Sequence, residues 1–77
     1  MKKVIIYSTP TCVYCQMAKA WFDEQGIDYT DYDVSVDEEK RNEMLQKTGQ
    51  MAVPVIDVEG EIIIGFDKPR LAQLLGI

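Results

Sequence analysis

A short apolar run that breaks into two cysteines three positions apart constrains this chain more than any other feature. Lys3-Val4-Ile5-Ile6-Tyr7 reads as a strand, and Cys12-Val13-Tyr14-Cys15 opens the helix that follows it. These are the only 2 cysteines, and the chain has no histidine. The helix start matters chemically. Its first N–H groups lack partners and carry partial positive charge, which stabilises a thiolate, the nucleophile of disulfide exchange. Residues i and i+3 share one side of a helix, so the two sulfurs can reach bonding distance with little backbone movement.

Rival uses of the pair are less well supplied. A staple closing so short a loop removes little entropy from the unfolded chain. Zinc asks for four ligands, usually cysteine and histidine, and the chain offers 2 cysteines alone. A metal or iron–sulfur carrier, dimeric around Cys12, is the alternative from another class, and a redox-inert binding module is a third. Position separates the roles of the sulfurs. Cys12, at the helix edge, attacks; Cys15, one turn in, resolves the mixed disulfide. Lys19, one turn beyond Cys15, reads as a solvated helix residue.

The rest of the chain reads as βαβαββα, one domain over residues 1–77 with no linker or repeat. Val4 to Tyr7 suits a strand buried on both faces. Pro10 keeps Thr9 extended, and a helix runs from about Cys12 to Gln25, stopped by Gly26. Met17, Ala20 and Trp21 lie at helical spacing as its apolar stripe. Tyr29 to Val34 alternates as a strand. Ser35-x-x-Glu38 resembles a capping box, with Asp37 a rival N-cap, and that second helix ends near Thr48-Gly49. Val55–Val58 and Glu61–Ile64 flank Glu59-Gly60 as a hairpin. Asp67 caps a last helix with Pro69 in its first turn, and Leu71, Leu74 and Leu75 face inward.

Charge narrows the partners. Thirteen acids against 8 bases leave a net charge of −5, with no basic cluster beyond Lys2-Lys3 and Lys40-Arg41, which disfavours nucleic acid. No apolar stretch approaches a membrane span. The first apolar run is shorter than a secretory signal requires, so a cytoplasmic location is expected, where a lone cysteine pair is more often catalytic than structural.

With these elements in place, the whole chain resembles a glutaredoxin. Tyr7-Ser8-Thr9-Pro10-Thr11-Cys12-Val13-Tyr14-Cys15 is similar to that family's strand end and active site. Thr48-Gly49-Gln50-Met51-Ala52-Val53-Pro54 resembles its stretch ending in Thr-Val-Pro, and Gly65-Phe66-Asp67 its Gly-Cys-Asp turn. The resemblance implies a thioredoxin-like α/β fold: a four-stranded mixed sheet flanked by helices, with a cis bond before Pro54 beside the dithiol. It implies a monomeric thiol–disulfide oxidoreductase with no bound cofactor. Its partners would be protein disulfides or glutathione as co-substrate, and a reductase would supply the electrons. The glutathione-binding positions it implies are Tyr14, Arg41, Val53, Pro54, Phe66 and Asp67; it implies no metal site.

The departures are specific. Val13 replaces the proline of Cys-Pro-Tyr-Cys. Thr9 and Met51 stand where the family often has bases that meet the glycine carboxylate of glutathione. Ala52 replaces threonine, and Asp67-Lys68 replaces paired acids. Gly65-Phe66 and the missing bases also resemble the redoxins that serve ribonucleotide reductase and draw on thioredoxin reductase, so the electron source stays open between the two reductants.

Overall fold

The computed structural model describes residues 2–77 and follows the expected order: β1 (Val4–Ser8), α1 (Val13–Glu24), β2 (Thr30–Asp33), α2 (Glu38–Thr48), β3 (Val55–Val58), β4 (Glu61–Ile64) and α3 (Lys68–Leu75). The strands form one mixed sheet in the order β2-β1-β3-β4. β1 runs parallel to β2 and antiparallel to β3, and β3 pairs antiparallel with β4. A parallel pair needs a crossover, and α1 supplies it.

Helices cover both faces, which is why the central strands are mostly apolar without alternation, with Ser8 and Asp57 the buried polar exceptions. Val4 and Ile6 of β1 join Ile56 and Val58 of β3 in a core closed by Ala18, Trp21 and Phe22 of α1 and Leu71 of α3. Tyr7 and Val55 point the other way, to Val34 and to Met44 of α2. Phe22, Leu71 and Met44 are all but excluded from water. Burying side chains of that kind contributes roughly 1.5–3 kcal/mol each.

The apolar stripe of α1 differs from the expected one. Its buried residues are Cys15, Ala18, Trp21 and Phe22, whereas Met17 is 47% exposed and Ala20 faces solvent. Cys15 is among the most often buried residue types. Counting it as an apolar position turns the helix by about one residue and brings Phe22 inward. At α2, Asp37 rather than Ser35 is the N-cap, its Oδ1 accepting from the Lys40 N–H at 3.1 Å. Asp67 caps α3 in the same way, accepting from the Arg70 N–H at 3.3 Å.

The β3–β4 hairpin turns through Glu59 (φ 52) and Gly60 (φ 91), both left-handed, as a two-residue hairpin turn of this twist requires. A Cβ on Gly60 would meet nothing within 4 Å, so any cost of substitution is conformational rather than steric. Gly60→Ala is expected to lower unfolding free energy by about 1–2 kcal/mol, read from urea denaturation. An unchanged midpoint would show that the turn relaxes to another conformation.

Candidate active site

Three loops converge at one end of the sheet: the one leaving β1, the one entering β3, and the one between β4 and α3. Two hydrogen bonds tie them to their neighbours. Val34 N–H donates to the Ser8 carbonyl at 2.9 Å, and Gly65 N–H to the Pro54 carbonyl at 2.8 Å. The second joins the Pro54 loop to the Gly65–Asp67 loop. The Val53–Pro54 bond is cis, as the resemblance implied.

Cys12 is the N-cap of α1, in extended backbone geometry (φ −85, ψ 113). Its Sγ accepts the Cys15 N–H at 3.1 Å, taking the role a serine or aspartate oxygen has at other helix starts. Cys12 is partly exposed, and Cys15 is fully buried. Burial pushes the Cys15 thiol up to about 12, and the adjacent Cys12 sulfur adds to the effect. Both cysteines are free thiols here. The pair is thus asymmetric: one sulfur reachable from solvent and held at a helix N-terminus, the other dry and protonated.

Beside the dithiol loop lies a groove of about 210 Å³ lined by Thr9, Val34, Ser35, Arg41, Met44, Met51 and Val53. It brings together two of the expected ligand positions, Arg41 and Val53. It also contains Thr9 and Met51, the two positions where bases are replaced. Arg41 makes no ion pair among the described residues.

The other expected ligand positions do not line this groove. Tyr14 is 63% exposed on the first turn of α1. Pro54 is buried. Phe66 turns its ring into the core against Trp21, with centroids 6.0 Å apart, so only its backbone faces outward chemistry. The Asp67 carboxylate is engaged in capping α3. Val34, Ser35 and Met44 were not expected to line the groove. Val34 and Ser35 come from the turn after β2 and Met44 from α2, and only the folded register brings them to Thr9.

Lys19 is not a solvated helix residue. Its Nζ pairs with Asp31 Oδ2 at 3.0 Å, and its side chain is 18% exposed. No group of three or more His, Cys, Asp or Glu side chains comes together among the described residues. No helix among them is long and apolar enough to cross a membrane.

The comparisons with known proteins agree with this geometry. The glutaredoxin family model matches residues 4–63. A glutaredoxin-like 8.6 kDa protein of the rubredoxin operon of Clostridium pasteurianum is 41% identical over 70 residues, covering 91% of this chain and 93% of that one. A point variant of a protein described as thioredoxin-like superposes with a TM-score of 0.92 at 32% identity, covering 100% of this chain and 99% of the other. A buckwheat glutaredoxin solved in complex with glutathione matches with a TM-score of 0.78 at 27% identity, over 97% of this chain and 74% of its own. A four-stranded mixed sheet of this order, a Cys-x-x-Cys at the start of α1 and a family match over most of the length lead to one assignment: the chain belongs to the glutaredoxin family of thiol–disulfide oxidoreductases.

Proposed function

We propose that the protein is a small dithiol electron carrier that reduces protein disulfides or glutathione mixed disulfides. The asymmetry of the two sulfurs carries this reading: Cys12 is reachable and fixed by the Cys15 N–H, and Cys15 is dry and protonated. The Cys12 thiolate attacks one sulfur of a substrate disulfide, and the other sulfur leaves as a thiolate that takes up a proton. A mixed disulfide now links Cys12 to the substrate. Cys15 loses its proton and attacks Cys12 Sγ. The Cys12–Cys15 bond forms, the substrate leaves as its thiol, and two electrons have passed to it. An external thiol or a reductase resets the pair. The backbone at Val53 holds the incoming chain extended, as an added strand. We place this chemistry in the cytoplasm, in a monomer.

Glutathione is proposed as a usable but poor reductant. The buckwheat relative supports its fit to the fold, and the groove lined by Thr9, in the loop that leads to Cys12, is our candidate place for it. Arg41 is the one base lining that groove, where Thr9 and Met51 offer no charge. The γ-glutamyl end meets the N–H groups of Phe66 and Asp67 at the start of α3, with Lys68 adjacent. A charged hydrogen bond contributes roughly 1.5–3 kcal/mol, so Met51→Arg is expected to raise glutathione efficiency about tenfold or more. Steady-state reduction of a small mixed disulfide with glutathione and its reductase measures this. High efficiency in the parent, unchanged by Met51→Arg, would show that the absent bases are irrelevant. Turnover with thioredoxin reductase and none with glutathione would assign the chain to the other electron source.

A further inference from the structure

Lys19 lies four residues beyond Cys15 on α1, so the two side chains rise from the same side of the helix. That side faces the sheet, where Cys15 and Ala18 are fully buried. Lys19 reaches across to β2 and pairs with Asp31 Oδ2 at 3.0 Å. The other oxygen of that carboxylate, Oδ1, accepts from Ser8 Oγ at 2.6 Å. Ser8 is 2% exposed and is the last residue of β1, at the head of the loop to Cys12. The register places Asp31 opposite Ile6, on the face that α1 covers. A buried hydroxyl therefore orients the carboxylate, and the carboxylate holds the ammonium on the side of α1 that carries the buried sulfur.

Resolution needs negative charge to develop on Cys15 in a dry site. Burial and the Cys12 sulfur both oppose it; the Thr9 backbone favours it, and Lys19 is the cation that adds to that favour. The other titratable groups around this cluster are Asp23 of α1 and Tyr29 in the segment before β2. Asp31 works against Lys19 at the same time as it places it, because its own charge answers part of the ammonium's.

We propose that Lys19, held in place by Asp31 and Ser8, is a positioning residue that sets the rate at which Cys15 resolves the mixed disulfide. The proposal rests on Cys15 being the resolving sulfur. In the step concerned, Cys15 gives up its proton to solvent, the Cys15 Sγ–Cys12 Sγ bond forms, and the bond from Cys12 Sγ to the substrate sulfur breaks. The electron pair and a proton from solvent go to the leaving thiol. No further reactant is needed.

The reduced protein is mixed in stopped flow with an aromatic disulfide that releases a coloured thiolate. The first phase reports attack by Cys12, and the second reports displacement by Cys15. Lys19 is the cation that favours the Cys15 thiolate, so Lys19→Met is expected to slow the second phase about threefold at neutral pH. Its pH profile moves upward, and Lys19→Arg restores the parent behaviour. Asp31→Asn, which leaves the ammonium unanswered, is expected to speed the second phase about threefold. The opposite signs are decisive. Lys19→Met and Asp31→Asn break the same ion pair, so a purely structural tie between α1 and β2 would slow both alike. Equal slowing, or no change in either, overturns the proposal. Where Lys19→Met does not fold, the sign of Asp31→Asn alone decides. A parent with a normal first phase and no second phase would instead remove Cys15 from its resolving role.

Discussion

Cys12→Ser is expected to abolish disulfide reduction, whereas Cys15→Ser is expected to stop the cycle halfway with the substrate still attached. The difference follows from what each sulfur touches. Cys12 is the partly exposed sulfur, and it receives an N–H at the helix start. A serine hydroxyl there still caps α1, so the fold survives while the nucleophile is lost. Removal of the Cys15 sulfur leaves the attack intact but deletes the only internal group that can displace the substrate. The covalent adduct is read by mass spectrometry of the intact protein after a protein disulfide is offered, with thiol release followed in parallel. An active Cys12→Ser variant would reverse the order of attack. A Cys15→Ser variant that turns over at parental rate with protein disulfides would mean that an external thiol does the resolving.

The second large effect is on stability and lies on the opposite face of the sheet. Asp57 of β3 is 9% exposed and pairs with Lys47 of α2 at 2.8 Å. Lys47 Nζ also donates to the Tyr7 hydroxyl at 2.7 Å, and that hydroxyl donates to Glu43 at 2.6 Å. Asp57 Oδ1 accepts the Gly60 N–H at 2.7 Å, so one carboxylate anchors both α2 and the β3–β4 turn. Asp57→Ala takes the shortest ion-pair partner from Lys47, which keeps Glu43 at 3.4 Å, and leaves a turn N–H without its acceptor. Breaking a fully buried pair costs 3–5 kcal/mol; with the Lys47 side chain 26% exposed, about 2 kcal/mol is expected, or roughly 10 °C in Tm. Asp57→Leu combined with Lys47→Met should recover most of the loss, since an apolar pair in such a place is often neutral. A loss below about 0.5 kcal/mol for Asp57→Ala would class the network with ordinary surface pairs.

The same network has a pH signature. Hydrogen bonds from the Tyr7 hydroxyl, then from Lys40, hold the Glu43 carboxyl down to about 2. A depressed acid adds stability above its unfolded pKa of ~4.3 and loses it as pH falls through the folded value. Parental stability should therefore fall between about pH 4.5 and 2, and Glu43→Gln should flatten part of that fall. An identical slope in both proteins would show that Glu43 is not coupled to folding.

Much of the architecture was readable in order along the chain. The strand–helix sequence follows from apolar runs, and Gly26, Asp67 and the Glu59-Gly60 turn mark ends that local chemistry dictates, whereas Ser35 and Asp37 both offer a cap to α2 and the fold uses Asp37. The dithiol was readable for the same reason, since its residues are four consecutive positions. What failed to show was tertiary. The stripe of α1 was misplaced because Cys15 was read as chemistry and not also as a buried apolar residue. Lys19 looked solvated because its partner, Asp31, is 12 positions away on another element. Tyr7 and Lys47 are 40 positions apart, and no local pattern announces that they meet. The groove had the same origin: Thr9, Arg41 and Val53 become neighbours only once β1, α2 and β3 are stacked.

The cap of α1 joins folding to redox state. The acceptor that closes this helix start is the atom that the reaction consumes. As a thiolate, Cys12 Sγ is a strong acceptor for the Cys15 N–H; once in a disulfide it is a weak one. In the thiolate form, helix capping therefore favours the reduced protein over the oxidised one. A thermodynamic cycle links the two properties: whatever stabilises the folded dithiol over the folded disulfide raises the reduction potential by the same free energy. A substitution that strengthens capping only in the thiolate form would make the protein a better electron acceptor and a poorer donor, with no change at the substrate groove.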